Sequence, residues 1–212
     1  MKDIVQKFLT AAGRLAVENR VKSAESGTSG EIVVMAVSSS STYPAATLAG
    51  SGALSLTFAI IASLVLSNDS LWLFLTIFAP SFIAMHELVR RVPFLKRPFI
   101  SRKAMAEEVE EAAIKAFYLR KVHETRDRTG ILIYISLFEH SVQVLADTGI
   151  DSKVGKHLWR EVVDTITDGI RKGRPAEAIC TAVDRCGVML QLHFPRKADD
   201  RNELGDAMII GQ

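Results

Sequence analysis

The sequence predicts an α/β domain interrupted by a transmembrane helical hairpin. Two long uncharged runs in the middle of the chain, and β-branched strand patterns on both sides of them, lead to that reading. The chain has 212 residues, 48% hydrophobic and 24% charged. Its mean hydropathy of +0.18 is high for so charged a protein. The average hides a split, because Asp69 is the only charged residue between Ala45 and Met85. Ala45–Leu66 carries no charge, Ser67-Asn68-Asp69-Ser70 makes a turn, and the apolar run resumes at Leu71. A bilayer core of roughly 30 Å needs about 20 mainly apolar residues in a helix. A domain of this size has no core large enough to cover two such helices on all sides.

The flanks set an orientation. Arg90, Arg91, Lys96, Arg97, Arg102 and Lys103 follow the second run, and the turn between the runs has no Lys or Arg. Positive residues near a membrane end mark the cytoplasmic side. The expectation is an integral membrane protein, of the inner membrane if bacterial, with residues 1–42 and 90–212 cytoplasmic. Lys2, Asp3, Lys7 and Arg14 break any signal-peptide core at the N-terminus. A reducing compartment suits Cys180 and Cys186 as thiols. A net charge of +2 gives no electrostatic footprint for nucleic acid.

The polar parts supply the elements in order. Ile4, Val5, Phe8, Leu9, Ala12, Leu15 and Ala16 recur at helical spacing. Glu31–Val37 is a buried-type strand, and Ser38–Thr42 links it to the hairpin. Val109, Ala112, Ala113, Ala116 and Phe117 form one face of a helix. Ile131–Phe138 and Val142–Ala146 read as a β-hairpin turning at Glu139-His140. Val154 to Ile170 is helical up to Gly173, and Pro175 opens a last helix. The tail from Pro195 is polar, and the first strand is expected to join the later ones in one sheet. The predicted divisions are residues 1–43, the hairpin 44–95, and 96–212.

Familiar catalytic patterns are missing. The chain has no phosphate loop, no serine elbow, and no His pair at helical zinc spacing. Asp147 lacks the second Asp of an aspartate-nucleophile phosphatase, because Gly149 stands there. The acidic tail, with Asp199, Asp200, Asn202 and Glu203, offers hard oxygen ligands suited to Ca²⁺ or Mg²⁺. On composition alone a solvated polar turn is the simpler reading. Glu31 starts one strand, Glu139 ends another and Asp147 a third, so some of these could share a rim with the tail.

Several segments together resemble the TPM domain family, named for a thylakoid lumen protein, a photosystem II accessory protein and a worm acetylcholine-receptor modulator. They are Ser29–Val34, Thr129–Ser136 followed by Glu139, and Val144–Ile150 with its Asp147-Thr148-Gly149. Trp159, Gly173 and Asp199-Asp200-Arg201-Asn202-Glu203-Leu204 complete the pattern. Two departures are Gly205, where the family often has Pro, and the hairpin after the first strand. The resemblance implies a three-layer α/β sandwich, a small central sheet flanked by helices, with the two-helix hairpin inserted. It also implies a divalent-metal site built from strand ends and the acidic loop, drawing on Asp199, Asp200, Asn202, Glu203, Asp147, Glu139 and Glu31, with Ca²⁺ or Mg²⁺ as the ion. Acid phosphatase activity has been attributed to plant members.

Three functional readings follow. The first is a membrane-anchored, divalent-metal-binding accessory or interaction module at the cytoplasmic face. The second is a metal-dependent, acid phosphatase-like hydrolase. The third is a membrane assembly subunit acting through its hairpin. The expected partners are membrane lipids and a membrane protein. Small residues four apart, Ala46/Gly50 and Ala49/Ala53, leave room for a homo-oligomer.

Overall fold

The computed structural model describes residue 5 and residues 8–67, 70–151, 153–197 and 202–211. Its elements are α1 (Ala11–Glu25), β1 (Glu31–Val37), α2 (Pro44–Val65), α3 (Leu71–Arg91), α4 (Arg102–Leu119), β2 (Gly130–Ser136), β3 (Ser141–Ala146), α5 (Lys156–Arg171), α6 (Pro175–His193) and β4 (Ile209–Gly211). They fall into two compact units. One comprises residues 1–41 with 106–212, and the other residues 42–105.

The first unit is an α/β fold around a mixed sheet. Its strand order is β3-β2-β1-β4, four strands among the described residues. β1 runs parallel to β2, with Glu31 opposite Gly130 and Val37 opposite Ser136. It also runs parallel to β4, with Met35 opposite Ile209. β3 is antiparallel to β2, with Ser136 opposite Ser141. Parallel strands covered on both faces read as continuous apolar runs, and the two faces of β1 and β2 separate at a period of two. Ile32, Val34, Ala36, Ile131, Ile133 and Ile135 pack on one side with Val17, Val21, Ile166, Ile179 and Leu190 from α1, α5 and α6. Val33, Val37, Leu132 and Tyr134 pack on the other with Val109, Ala113 and Phe117 of α4.

Val5 and Leu9 of the expected N-terminal face are buried in the core, but the helix that follows turns a different face inward. Thr10 Oγ1 accepts the Gly13 N–H at 3.1 Å and caps α1, which then runs on to Glu25. Val17, Val21 and Ala24 are its buried residues, while Leu15 is 57% exposed. Contact with α6 selects that face, since a Cβ on Gly187 would lie 2.8 Å from Ala24 Cβ. β4 is the second difference, because the polar tail ends in a strand that pairs with the middle of β1.

In the second unit, α2 and α3 are long and apolar enough to cross a membrane, with mean hydropathies of 1.9 and 1.5. Only 22% and 11% of their apolar windows are buried, so most of both surfaces faces outward. Pro44 occupies the first turn of α2. At the base of the pair, Lys96 Nζ donates to Thr42 O at 2.7 Å. Within it, Ser51 Oγ donates to Thr47 O and lies 3.4 Å from His86 Nδ1.

Candidate functional site

Acidic side chains collect where β1 begins. Glu31, the first residue of β1, is buried. Its Oε1 accepts the Glu203 N–H at 3.0 Å, and its Oε2 is buried with no hydrogen-bond partner among the described residues. Glu25, at the end of α1, accepts the Ile32 N–H at 2.8 Å. Both line a cavity of about 200 Å³ with Asn202, Asp206, Lys22 and Arg196. Asn202 Nδ2 donates to Asp206 Oδ1, which holds the turn of the tail. Burial, with help from Glu31 and Asp206, pushes the Glu25 carboxyl up to about 8 against the Ile32 hydrogen bond. Burial likewise raises Glu31, although the backbone N–H groups of Glu203 and Leu204 pull it down.

The other predicted residues lie elsewhere. Glu203 donates its backbone N–H to Glu31, while its carboxylate accepts the Arg126 N–H at 2.9 Å. Asp147 follows β3 and is at the same end of the sheet, with β2 between it and β1. Its Oδ1 accepts from Thr148 N at 2.7 Å, and Arg128 stands 3.9 Å from Oδ2. Glu139 is at the opposite end, beyond the last residues of β1 and β2. There it accepts the Ser40 N–H at 3.0 Å and the Ser136 hydroxyl, with Ser39 Oγ 3.1 Å away. Asp199 and Asp200 lie outside the described residues. Glu31, Asn202 and Glu203 are therefore brought together, and Glu139 is not among them. Among the described residues no group of three or more His, Cys, Asp or Glu is arranged to hold a metal ion.

Residues 99–188 match the family model described as TPM domain. Over those residues the chain is similar to the TPM domain family. The match spans α4, β2, β3, α5 and most of α6. The fold is also that of a solved structure, the NMR structure of the BA42 protein from the psychrophilic bacterium Bizionia argentinensis. That protein is 20% identical, the superposition covers 96% of each chain, and the TM-score is 0.61. Comparison with curated proteins gives no match.

Sequence reading missed Glu25 and Asp206, both outside the matched residues, as members of the acidic cluster. Glu25 did leave a signal. It continues the stripe Val17, Val21 at four-residue spacing, a carboxylate where the helix otherwise turns apolar residues inward. Asp206 left none beyond its place in a polar tail.

Proposed function

We propose that this TPM-domain chain is a membrane-anchored accessory module that holds a divalent cation, Ca²⁺ or Mg²⁺, at the start of β1 and docks a membrane partner at the cytoplasmic face. The observation that carries the reading is the buried Glu31 Oε2, unpartnered among the described residues, in the cavity shared with Glu25 and Asp206. Buried carboxylates held together without a cation repel one another and resist ionisation, which is the condition of Glu25 and Glu31. The oxygen-only donor set of Glu25, Glu31, Asn202 and Asp206 fits a hard cation and not zinc. These donors form part of a shell, and Asp199 and Asp200 are near enough in sequence to add to it. Bound metal would clamp the tail to β1 and α1, and no bond-making step is assigned to it.

An accessory role is preferred to hydrolysis because the hydroxyls lining the cavity are already committed. Ser26 Oγ donates to Ser23 O and Thr28 Oγ1 to Phe194 O, both at 2.6 Å. Anchoring rests on α2 and α3, and the cytoplasmic side on the basic run from Arg90 to Lys103.

Calorimetric titration of the full chain in detergent with CaCl₂ and MgCl₂ tests the site. Saturable heat is expected for the wild type, together with a melting temperature that rises with ion concentration. Both should be lost in Glu31→Gln and weakened in Asp200→Ala/Glu203→Ala. Absence of saturable heat with either ion refutes the reading.

A further inference from the structure

A second polar centre lies at the other end of the sheet, where β1 and β2 finish side by side. In open α/β sheets ligands bind outside the carboxyl ends of the parallel strands. Here a cavity of about 410 Å³ opens at that end, between the Tyr134 face of the sheet and α4. Its walls include Met35, Val37, Ala112 and Leu119, and its polar lining is Ser39, Ser40, Tyr134, Lys115 and Arg120. Among the described residues no carboxylate side chain lines it. Lys115 and Arg120 are exposed at its rim, and neither side chain has an ion-pair or hydrogen-bond partner among the described residues.

The hydroxyls behind the cavity have a fixed polarity. Ser136 Oγ gives its proton to Glu139. It therefore accepts from Ser40 Oγ, 3.0 Å away. With its own proton spent on Ser136, Ser40 Oγ can only accept from the Tyr134 hydroxyl, 3.3 Å away. The chain thus runs Tyr134 to Ser40 to Ser136 to Glu139, each proton pointing toward the carboxylate. Tyr134 is left presenting an acceptor, its phenol kept protonated by burial and by the Glu139 charge.

We propose that this cavity is a binding site for a small organic anion, with its carboxylate or phosphate on Lys115 and Arg120, a hydroxyl or amino donor on Tyr134 Oη, and an apolar body against Met35, Val37 and Leu119. The site is separate from the acidic cavity at the start of β1 and does not depend on a cation there. Arg and Lys are the side chains that recognise carboxylate and phosphate oxygens. The relay adds selectivity, because a ligand without a donor leaves the Tyr134 lone pairs unmatched on binding.

The test uses the full chain in detergent with 3-fluorotyrosine at its three tyrosines, read by fluorine NMR, with the Tyr134 signal assigned from Tyr134→Phe. The probe is 4-hydroxyphenylacetate. Its amide lacks the charge, phenylacetate lacks the donor, and 4-hydroxyphenyl phosphate substitutes the other anion. Saturable displacement of the Tyr134 signal is expected with one or both hydroxyl-bearing anions, and weaker binding with the amide and with phenylacetate. Lys115→Met/Arg120→Met, two exposed positions that leave folding intact, should weaken binding by about tenfold or more, the equivalent of one charge-assisted hydrogen bond. Ser136→Ala should erase the preference over phenylacetate while keeping the preference over the amide. No saturable shift with either anion overturns the proposal, as does equal affinity in the Lys115/Arg120 variant.

Discussion

Glu25 shows how a single carboxyl links burial to solution behaviour. Its pKa is raised to about 8 in the fold, so the native state holds a proton that the unfolded chain releases near 4.5. Between these values the native state binds more protons, and stability falls as pH rises. Thermal melts of the wild type should therefore decline from about pH 4.5 to about pH 8, and Glu25→Gln should flatten that decline. For the proposed cation the sign reverses. Metal must displace the Glu25 proton, so calcium affinity should tighten up to about pH 8 and level off above it. Gly149, in the Asp147-Thr148-Gly149 signature, acts through close approach. A Cβ there would sit 2.5 Å from Arg128 O and 2.7 Å from Asp127 O. Gly149→Ala should cost about 1–3 kcal/mol, seen as a lower urea midpoint.

At the scale of elements, α2 offers an internal control. A Cβ on Gly50 would meet the Phe99 ring at 3.2 Å, whereas one on Gly52 would meet nothing within 4 Å. Gly50→Leu should loosen the packing of residues 42–105, read as slower gel migration or weaker cysteine cross-linking between α2 and α3, and Gly52→Leu should leave both unchanged. The same contrast explains which elements the sequence makes legible. β1 is readable because seven consecutive residues, Glu31 to Val37, are buried or nearly so on both faces. Pro175 and Gly173, the latter at φ +72°, mark the boundary between α5 and α6 through their own backbone limits. β4 carries no local signal, since three residues are too few for a pattern and their hydrogen-bond partners lie in β1. The acidic cavity is half legible for a similar reason. Glu31 and Asn202 stand out in strand and tail, but Glu25 joins them only through the packing of α1. Glu139 looks like their companion in sequence, and the sheet places it at the far end.

For the whole molecule, the segments before α2 and after α3 return to one side of a bilayer if the two helices span it. Cysteine substitutions at positions 69 and 201, in a background without Cys180 and Cys186, test this in intact cells. An impermeant thiol reagent should label position 69 and spare position 201, and labelling at 201 would reverse the orientation. The position of the apolar helix pair in the chain has a physical basis. The insertion falls between β1 and β2, two neighbours that need a long crossover in any case because they are parallel.

The placement of β1 in the middle of the sheet has a consequence for how the protein is made. The strand leaves the ribosome before its partners, which are β2, at residues 130–136, and β4, at 209–211. Through all the synthesis between, both edges of β1 lack the neighbours they have in the finished sheet. Contacts so distant in sequence form late, so α2 and α3 emerge before the sheet can close. The order of events is then built into the topology. If α2 and α3 enter a membrane, they do so while the domain is still open, and β4 joins the sheet only after that choice is made.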